Sequence, residues 1–131
     1  MNKAVEILRE CNVFHIATTD GDQPRVRPFG AVADIDGKLY IATSNDKNCF
    51  KQMIANPKTE ISAMYKGGSW VRITGILKSD PRLSTKEEFL KQVPFLATRY
   101  KADDGIFEAL YFESGTMIIY PELGEPETYS I

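Results

Sequence analysis

Turn signals divide this chain into short pieces, and that division constrains its fold more than any other feature. "DGDQP" (20–24), Asp36-Gly37, Gly67-Gly68 and Ser114-Gly115 each separate runs rich in β-branched and aromatic residues, the pattern of strands joined by tight turns. The runs are "VFHIATT" (13–19), "RVRPFGAVADI" (25–35), "KLYIATS" (38–44), "TEISAMYK" (59–66), "SWVRITGILKSD" (69–80) and two strands around Ser114-Gly115 within "GIFEALYFESGTMIIYP" (105–121). Two hairpin connections in succession near the start predict an antiparallel meander.

Helices are sparse. "NKAVEILREC" (2–11) spaces Ala4, Val5, Ile7, Leu8 and Cys11 at helical intervals, with Asn2 and Asn12 at its ends. "NDKNCFKQMIANP" (45–57) places Cys49, Phe50, Met53 and Ile54 on one face, with Asn45 as its cap and Asn56-Pro57 as its stop. "LSTKEEFLKQV" (83–93) carries Ser84 and Glu87 at the spacing of a capping box, Pro94 interrupts it, and "FLATRYKA" continues as a second helical piece. "ELGEPETYSI" reads as a polar tail, about 121–131. The expectation is one mostly β domain with short helices (α+β) over residues 1–131, folded as a small antiparallel barrel or sandwich. A barrel would remove the exposed strand edges.

Composition narrows the function classes. With 43% hydrophobic and 26% charged residues the chain reads as an ordinary globular protein, and a formal charge of −2 offers nucleic acid no overall attractive field. The N-terminus contains acidic residues and no unbroken apolar core, so it reads neither as a signal peptide nor as a spanning helix, and a cytoplasmic protein without a membrane partner is expected. Cys11 and Cys49 lie far apart with His15 as the one histidine, which makes no metal-ligand pattern. The thiols are expected to be buried and free. No nucleophile elbow, phosphate-binding glycine loop or dinucleotide fingerprint is present.

Two stretches carry chemistry. In "DGDQPRVRPFG" (20–30) strand alternation sets Gln23, Arg25, Arg27 and Phe29 on one face, with Asp34 and Asp36 as candidate partners far along the same run. In "YIATSNDKNCF" (40–50) a strand ends at Thr43-Ser44 and a helix begins close to Lys47. A helix start favours an anion, so hydroxyls of Thr43 and Ser44 with Lys47 form a phosphate-sized candidate cradle. Arg25 and Arg27 would reach the same corner if their strand were the hairpin neighbour of "KLYIATS". A plain capped helix and an exposed cationic strand are the competing readings. Trp70 falls with Arg72 and Thr74 on the polar face of its strand, where a flat ligand, a subunit interface or simple partial burial would each suit it. Gly75, in mid-strand, signals a bulge or a close backbone approach.

"VFHIATTDGDQPRVRPFG", "KLYIATSNDKNCFKQMIANPKTEIS" and "SWVRITGIL", in that order, resemble the flavin-binding split-barrel family, which includes pyridoxamine 5′-phosphate oxidases and NimA/NimC-type nitroimidazole reductases. The likeness spans roughly residues 1 to 120 and is strongest to the small NimC-like branch. It implies an antiparallel split β-barrel and a homodimer with FMN at the subunit interface. By position it implies that Arg25, Val26, Arg27, Pro28, Phe29 and Gly30 run along the flavin, with Arg25 or Arg27 at its phosphate. Thr43, Ser44, Lys47 and Asn48 would complete the phosphate end, Trp70 would contact the ring, and Tyr111 and Phe112 are weaker candidates from the partner. The implied activity is electron or hydride transfer from a reduced nicotinamide to a small acceptor, a nitro compound being one candidate; a flavin carrier without its own substrate is the alternative. The resemblance names no catalytic acid or base. The sequence departs from the pyridoxamine phosphate oxidases in having neither arginine nor histidine after Arg99, so that oxidation is not the expected activity.

Overall fold

Hydrogen-bonded strand pairing dominates the computed structural model, which describes all 131 residues. In chain order the elements are α1 (Lys3–Cys11), β1 (Phe14–Asp20), β2 (Gln23–Phe29), β3 (Ala33–Ile35), β4 (Lys38–Ser44), α2 (Asn48–Ala55), β5 (Lys58–Met64), β6 (Trp70–Asp80), α3 (Leu83–Gln92), β7 (Phe107–Tyr120) and β8 (Glu127–Ser130). Single 3₁₀ turns follow β5 (Lys66–Gly68) and α3 (Leu96–Thr98). The architecture is thus mostly antiparallel sheet with three short helices, as expected.

The sheet order is β2-β1-β5-β6-β7-β4-β3, with β8 paired to β7. Two predicted hairpins form. β1 and β2 turn at Gly21, and β3 and β4 turn at Asp36-Gly37, where both residues have positive φ (56° and 76°), as the tight hairpin turn that matches strand twist requires. The meander does not form. "RVRPFGAVADI" breaks at Gly30 into β2 and β3, which lie at opposite ends of the sheet. Residues 30–32 carry the chain across without pairing, so Arg25 and Arg27 are not cross-strand neighbours of β4.

The inward faces of β1, β4, β5, β6 and β7 enclose one large core with Ala4, Val5, Ile7 and Leu8 of α1 and Met53 of α2. A smaller core lies under α3, formed by Ala33, Ile35, Tyr40, Phe89, Leu90, Phe107 and Ala109. β4 serves both: Leu39 and Ile41 face the large core, and Tyr40 the small one. That double burial explains why "KLYIATS" is nearly continuous in apolar residues instead of alternating.

Three terminal expectations are corrected. Within residues 105–121 there is one continuous strand, Phe107–Tyr120, because Ser114 and Gly115 pair with Ile76 and Gly75 and make no turn. The register steps between Ile76 and Leu77, leaving Glu113 of β7 as an extra, bulged residue. The polar tail contains β8, and Tyr129 and Ile131 pack against the large core. "FLATRYKA" yields only the 3₁₀ turn.

Two helix starts also differ from expectation. Asn2 caps α1 through bonds from Ala4 and Val5 N–H, and Asn12 closes it in a positive-φ conformation. At α2, however, Lys47 is the N-cap residue, without a side-chain cap bond. Asn45 instead donates to Gly105 O and Glu108 Oε1. At α3 the helix begins before Ser84, so the capping box does not form. Asp80 replaces it: its carboxylate, 4% exposed, accepts from Arg82 N, Nε and Nη2, from Thr85 Oγ1 and from Tyr40 Oη. One carboxylate thereby ties β4, β6 and α3 together. The Arg82 guanidinium holds the Asp80 carboxyl well below the usual carboxylate range, while burial, reinforced by Asp80, raises the Tyr40 phenol.

Two measurements check this frame. A β-carbon on Gly75 would overlap the Ser114 carbonyl oxygen and lie 2.7 Å from Phe112 Cδ1. Gly75→Ala is therefore expected to cost about 1–3 kcal/mol in urea unfolding, the scale of core overpacking. Asp80→Asn is expected to cost about 1.5–3 kcal/mol near pH 7, the scale of charged hydrogen bonds. Because the folded-state pKa of Asp80 is lowered, its contribution is complete above the unfolded carboxylate value of about 3.9 and declines as pH falls below it. The acid limb of a stability–pH curve should be flatter in Asp80→Asn than in the wild type.

Candidate functional site

β1, β2 and α2 meet at one corner of the large core. Inward residues of β1, Phe14, Ile16 and Thr18, are paired with Phe29, Arg27 and Arg25 of β2. The alternation is as predicted, but the two arginines have different surroundings. Arg25 is exposed and its Nε lies 3.3 Å from Asp20 Oδ2, a nearby acid that the sequence reading passed over. Arg27 is half-buried. Its Nη1 donates to Thr18 Oγ1 (2.7 Å) and Ile16 O (3.3 Å), and its Nη2 to Gln52 Oε1 (2.7 Å). Thr18 Oγ1 donates to the same Gln52 oxygen at 2.6 Å. No carboxylate lies within ion-pair distance of Arg27, whereas Arg25 and Arg72 each have one and Arg82 has two.

Asn48, Lys51, Gln52 and Ala55 follow the i, i+3, i+4, i+7 stripe of α2. With Thr19, Asp20 and Gly21 of the β1–β2 hairpin they line an open cleft of about 420 Å³. Thr19 Oγ1 is the one buried side-chain polar atom without a hydrogen-bond partner. The first turn of α2 contains no acid, and its unpaired N–H groups with Lys47 and Lys51 bring positive charge to this end, opposed by Asp46 before the cap and Asp20 in the cleft wall.

The remaining predicted residues are spread around the fold. Thr43 is buried with its hydroxyl 3.4 Å from Cys49 Sγ, and Ser44, also buried, accepts Lys47 N–H at its carbonyl. Neither residue forms an open cradle. Phe29 packs near Phe14, ring centroids 6.2 Å apart, and Gly30 is exposed beside the Asn12 carbonyl. Phe112 lies in the large core, and Tyr111 sits beside Tyr40 at 5.3 Å. Cys49 is buried and free, as expected, and Cys11 is free and half-buried.

Val26, Pro28 and Trp70 belong to the opposite, outer face of the sheet. Val71 and Ile73 of β6 point into the core, so Trp70 and Arg72 point outward. Trp70 stacks on Tyr120 at 4.4 Å and 14°, and Arg72 lies over both rings while donating to Tyr120 Oη. One chain therefore places Arg27 and Trp70 on different faces of the same sheet. Gln52, Thr18 and Tyr120 were not singled out from the sequence. Gln52 was accessible there, four residues after Asn48 on one helix face, but nothing local marks its contact with β2.

The antiparallel sheet curled about its large core is that of the split β-barrels. The family model for pyridoxamine 5′-phosphate oxidase matches residues 1–106. A NimC/NimA family protein from Clostridium acetobutylicum is 55% identical over 100% of this chain and 92% of its own, with a TM-score of 0.97. The chain belongs to the pyridoxamine 5′-phosphate oxidase family, in its NimC/NimA-like branch. General Stress Protein 26 from Bacillus anthracis str. Sterne shares the fold at 16% identity and a TM-score of 0.76, covering 96% of this chain and 94% of that one. A pyridoxamine 5′-phosphate oxidase-related, FMN binding protein from Nostoc punctiforme PCC 73102 shares it at 13% identity and a TM-score of 0.63, covering 98% and 92%. No curated protein matches. No helix is long and apolar enough to cross a membrane, and no cluster of His, Cys, Asp and Glu suits a metal.

The contrast between the arginines is measurable. Arg25→Ala should change urea stability by no more than about 0.5 kcal/mol, since its ion pair is exposed. Arg27→Ala should cost about 1.5–3 kcal/mol, because it strips donors from Thr18 and Gln52.

Proposed function

We propose that this protein is a homodimeric FMN-binding oxidoreductase that moves electrons or hydride from a reduced nicotinamide to a small acceptor, a nitro compound being the first candidate. The single observation that carries the reading is the corner where Arg27, without a counter-charge, is held by Gln52, one turn beyond the uncapped start of α2. The donor set suits a phosphomonoester: a guanidinium, free helical N–H groups, Lys47, Lys51 and the Asn48 amide. The unpaired Thr19 hydroxyl on the adjacent cleft supplies one more polar group. Family membership and the FMN-binding description of the Nostoc relative point the same way.

The division of the predicted residues between the two sheet faces supports the homodimer. Arg27 and Lys47 would hold the phosphate in one protomer. Val26 and Pro28, on the exposed outer side of edge strand β2, would lie along the ring, and Trp70 would come from the partner. Bound flavin would supply the redox chemistry by accepting and passing on a hydride or electrons. The chain's residues bind it, orient it and bring positive charge to its anionic groups.

Purified protein mixed with FMN and freed of excess should retain flavin absorbance at close to one flavin per chain and sediment as a dimer. A colourless protein at high concentration would overturn the reading. Lys47→Ala should weaken FMN retention by roughly ten- to a hundred-fold, the scale of one charge-assisted hydrogen bond. Consumption of reduced nicotinamide that depends on an added nitroaromatic tests the acceptor class, and bound flavin without turnover would leave a carrier.

A further inference from the structure

Arg27 is held by neutral acceptors alone, and that sets it apart from the other half-buried arginine. Arg72, the other half-buried arginine, has Glu60 at 3.7 Å. Around Arg27 the bonds close on themselves: Nη1 to Thr18 Oγ1, Thr18 Oγ1 to Gln52 Oε1, and Nη2 to Gln52 Oε1. An arginine only donates, so the Gln52 amide must turn its oxygen to the guanidinium. The orientation of Gln52 is thus set by Arg27, and that of Arg27 by Gln52 and Thr18. Nε donates to no protein group.

We propose that Gln52 is a positioning residue for anion recognition: it fixes Arg27 without neutralising it, so that this guanidinium, and not that of Arg25, meets the phosphate of the flavin. The inference rests on the FMN reading above. A glutamate would fit the same space and accept the same two hydrogen bonds, but its charge would compensate Arg27 before any ligand arrived. Arg25 shows that alternative in the same hairpin, where Asp20 already answers its charge. Gln52 also lines the α2 cleft with Asn48 and Lys51. It therefore links the fixed guanidinium to the positive end of the helix.

The test compares FMN with riboflavin, which lacks the phosphate, by quenching of flavin fluorescence in the wild type, Gln52→Glu and Gln52→Leu, with urea stability measured in parallel. Gln52→Glu should lose about ten-fold or more in FMN affinity, the effect of placing one opposite charge at hydrogen-bond distance from the guanidinium. Its riboflavin affinity should stay within about two-fold and its stability should match or exceed the wild type, because both hydrogen bonds remain. Gln52→Leu should lose FMN affinity less severely and lose stability. A purely structural glutamine predicts the reverse order, with the glutamate variant binding FMN like the wild type; that result overturns the proposal. An equal loss of FMN and riboflavin in Gln52→Glu overturns it as well. A wild type that prefers FMN over riboflavin while Gln52→Glu is unaffected removes the role of Gln52 and leaves the FMN reading standing. A wild type that binds neither flavin overturns both.

Discussion

Gly75 and Gly115 face each other across the β6–β7 ladder with no room for a β-carbon on either. Phe112 fills the space above Gly75, and the side chain of Ile131 covers Gly115. This close approach sits beside the bulge at Glu113, and the two together set the directions of every side chain in β7. Before the bulge, Leu110 and Phe112 point into the large core; after it, Met117 and Ile119 do. One extra residue exchanges the faces of a strand whose side chains alternate with period two. Phe107, Ala109 and Tyr111 are thereby released to the small core. Tyr120 is turned outward to stack on Trp70. Without the bulge Tyr120 would share the inward parity of Leu110, and the outer aromatic stack would have no second ring.

Charge is distributed by a similar division of labour. Asp80 gathers five donors in an almost fully buried position and joins two sheet strands to α3. A buried carboxylate needs that many partners to offset its lost hydration. Arg82 spends its guanidinium on that task, as Arg25 does on Asp20 and Arg72 on Glu60. Of the two half-buried arginines, Arg27 and Arg72, Arg27 has no such partner. A half-buried cation met only by amide, hydroxyl and carbonyl oxygens keeps its field, and a field at the edge of a core is strongest where water is partly excluded. Neighbouring side chains distinguish the two arginines that alternation makes equivalent.

Local chemistry made some elements readable from the sequence and long-range pairing hid others. α1 was legible because Asn2, Asn12 and the apolar stripe between them act within a few residues. The Asp36-Gly37 turn was legible because positive φ at consecutive positions has a strong residue preference. The break of "RVRPFGAVADI" at Gly30 was not, since both halves have strand character and only the sheet order separates them. Ser114-Gly115 imitated a turn because small residues serve both turns and close strand contacts. Ser84 and Glu87 imitated a helix start, but Asp80, outside the helix, supplies the acceptor. At the candidate site Arg27, Lys47 and Asn48 were chosen for their donor chemistry, whereas Gln52 meets Arg27 and Thr18 only because α2 packs on β1, and no sequence interval records that contact.

The separation of Arg27 and Trp70 on the two faces of one sheet constrains any shared ligand. A sheet is a barrier of continuous hydrogen bonds, and a small molecule does not cross it; it reaches both faces only by passing round an edge. β2 is such an edge, and it carries Pro24 and Pro28, residues that cannot donate to another strand. An edge closed to further strand pairing remains open to a ligand or to side chains of a second chain. Trp70 lies on β6, separated from the edge strand β2 by β1 and β5. A ligand anchored at Arg27 and wrapped over that edge would meet the tryptophan of the partner subunit more readily than that of its own chain. The proposed dimer would resolve that separation, each chain presenting one face of its sheet to a site shared with the other.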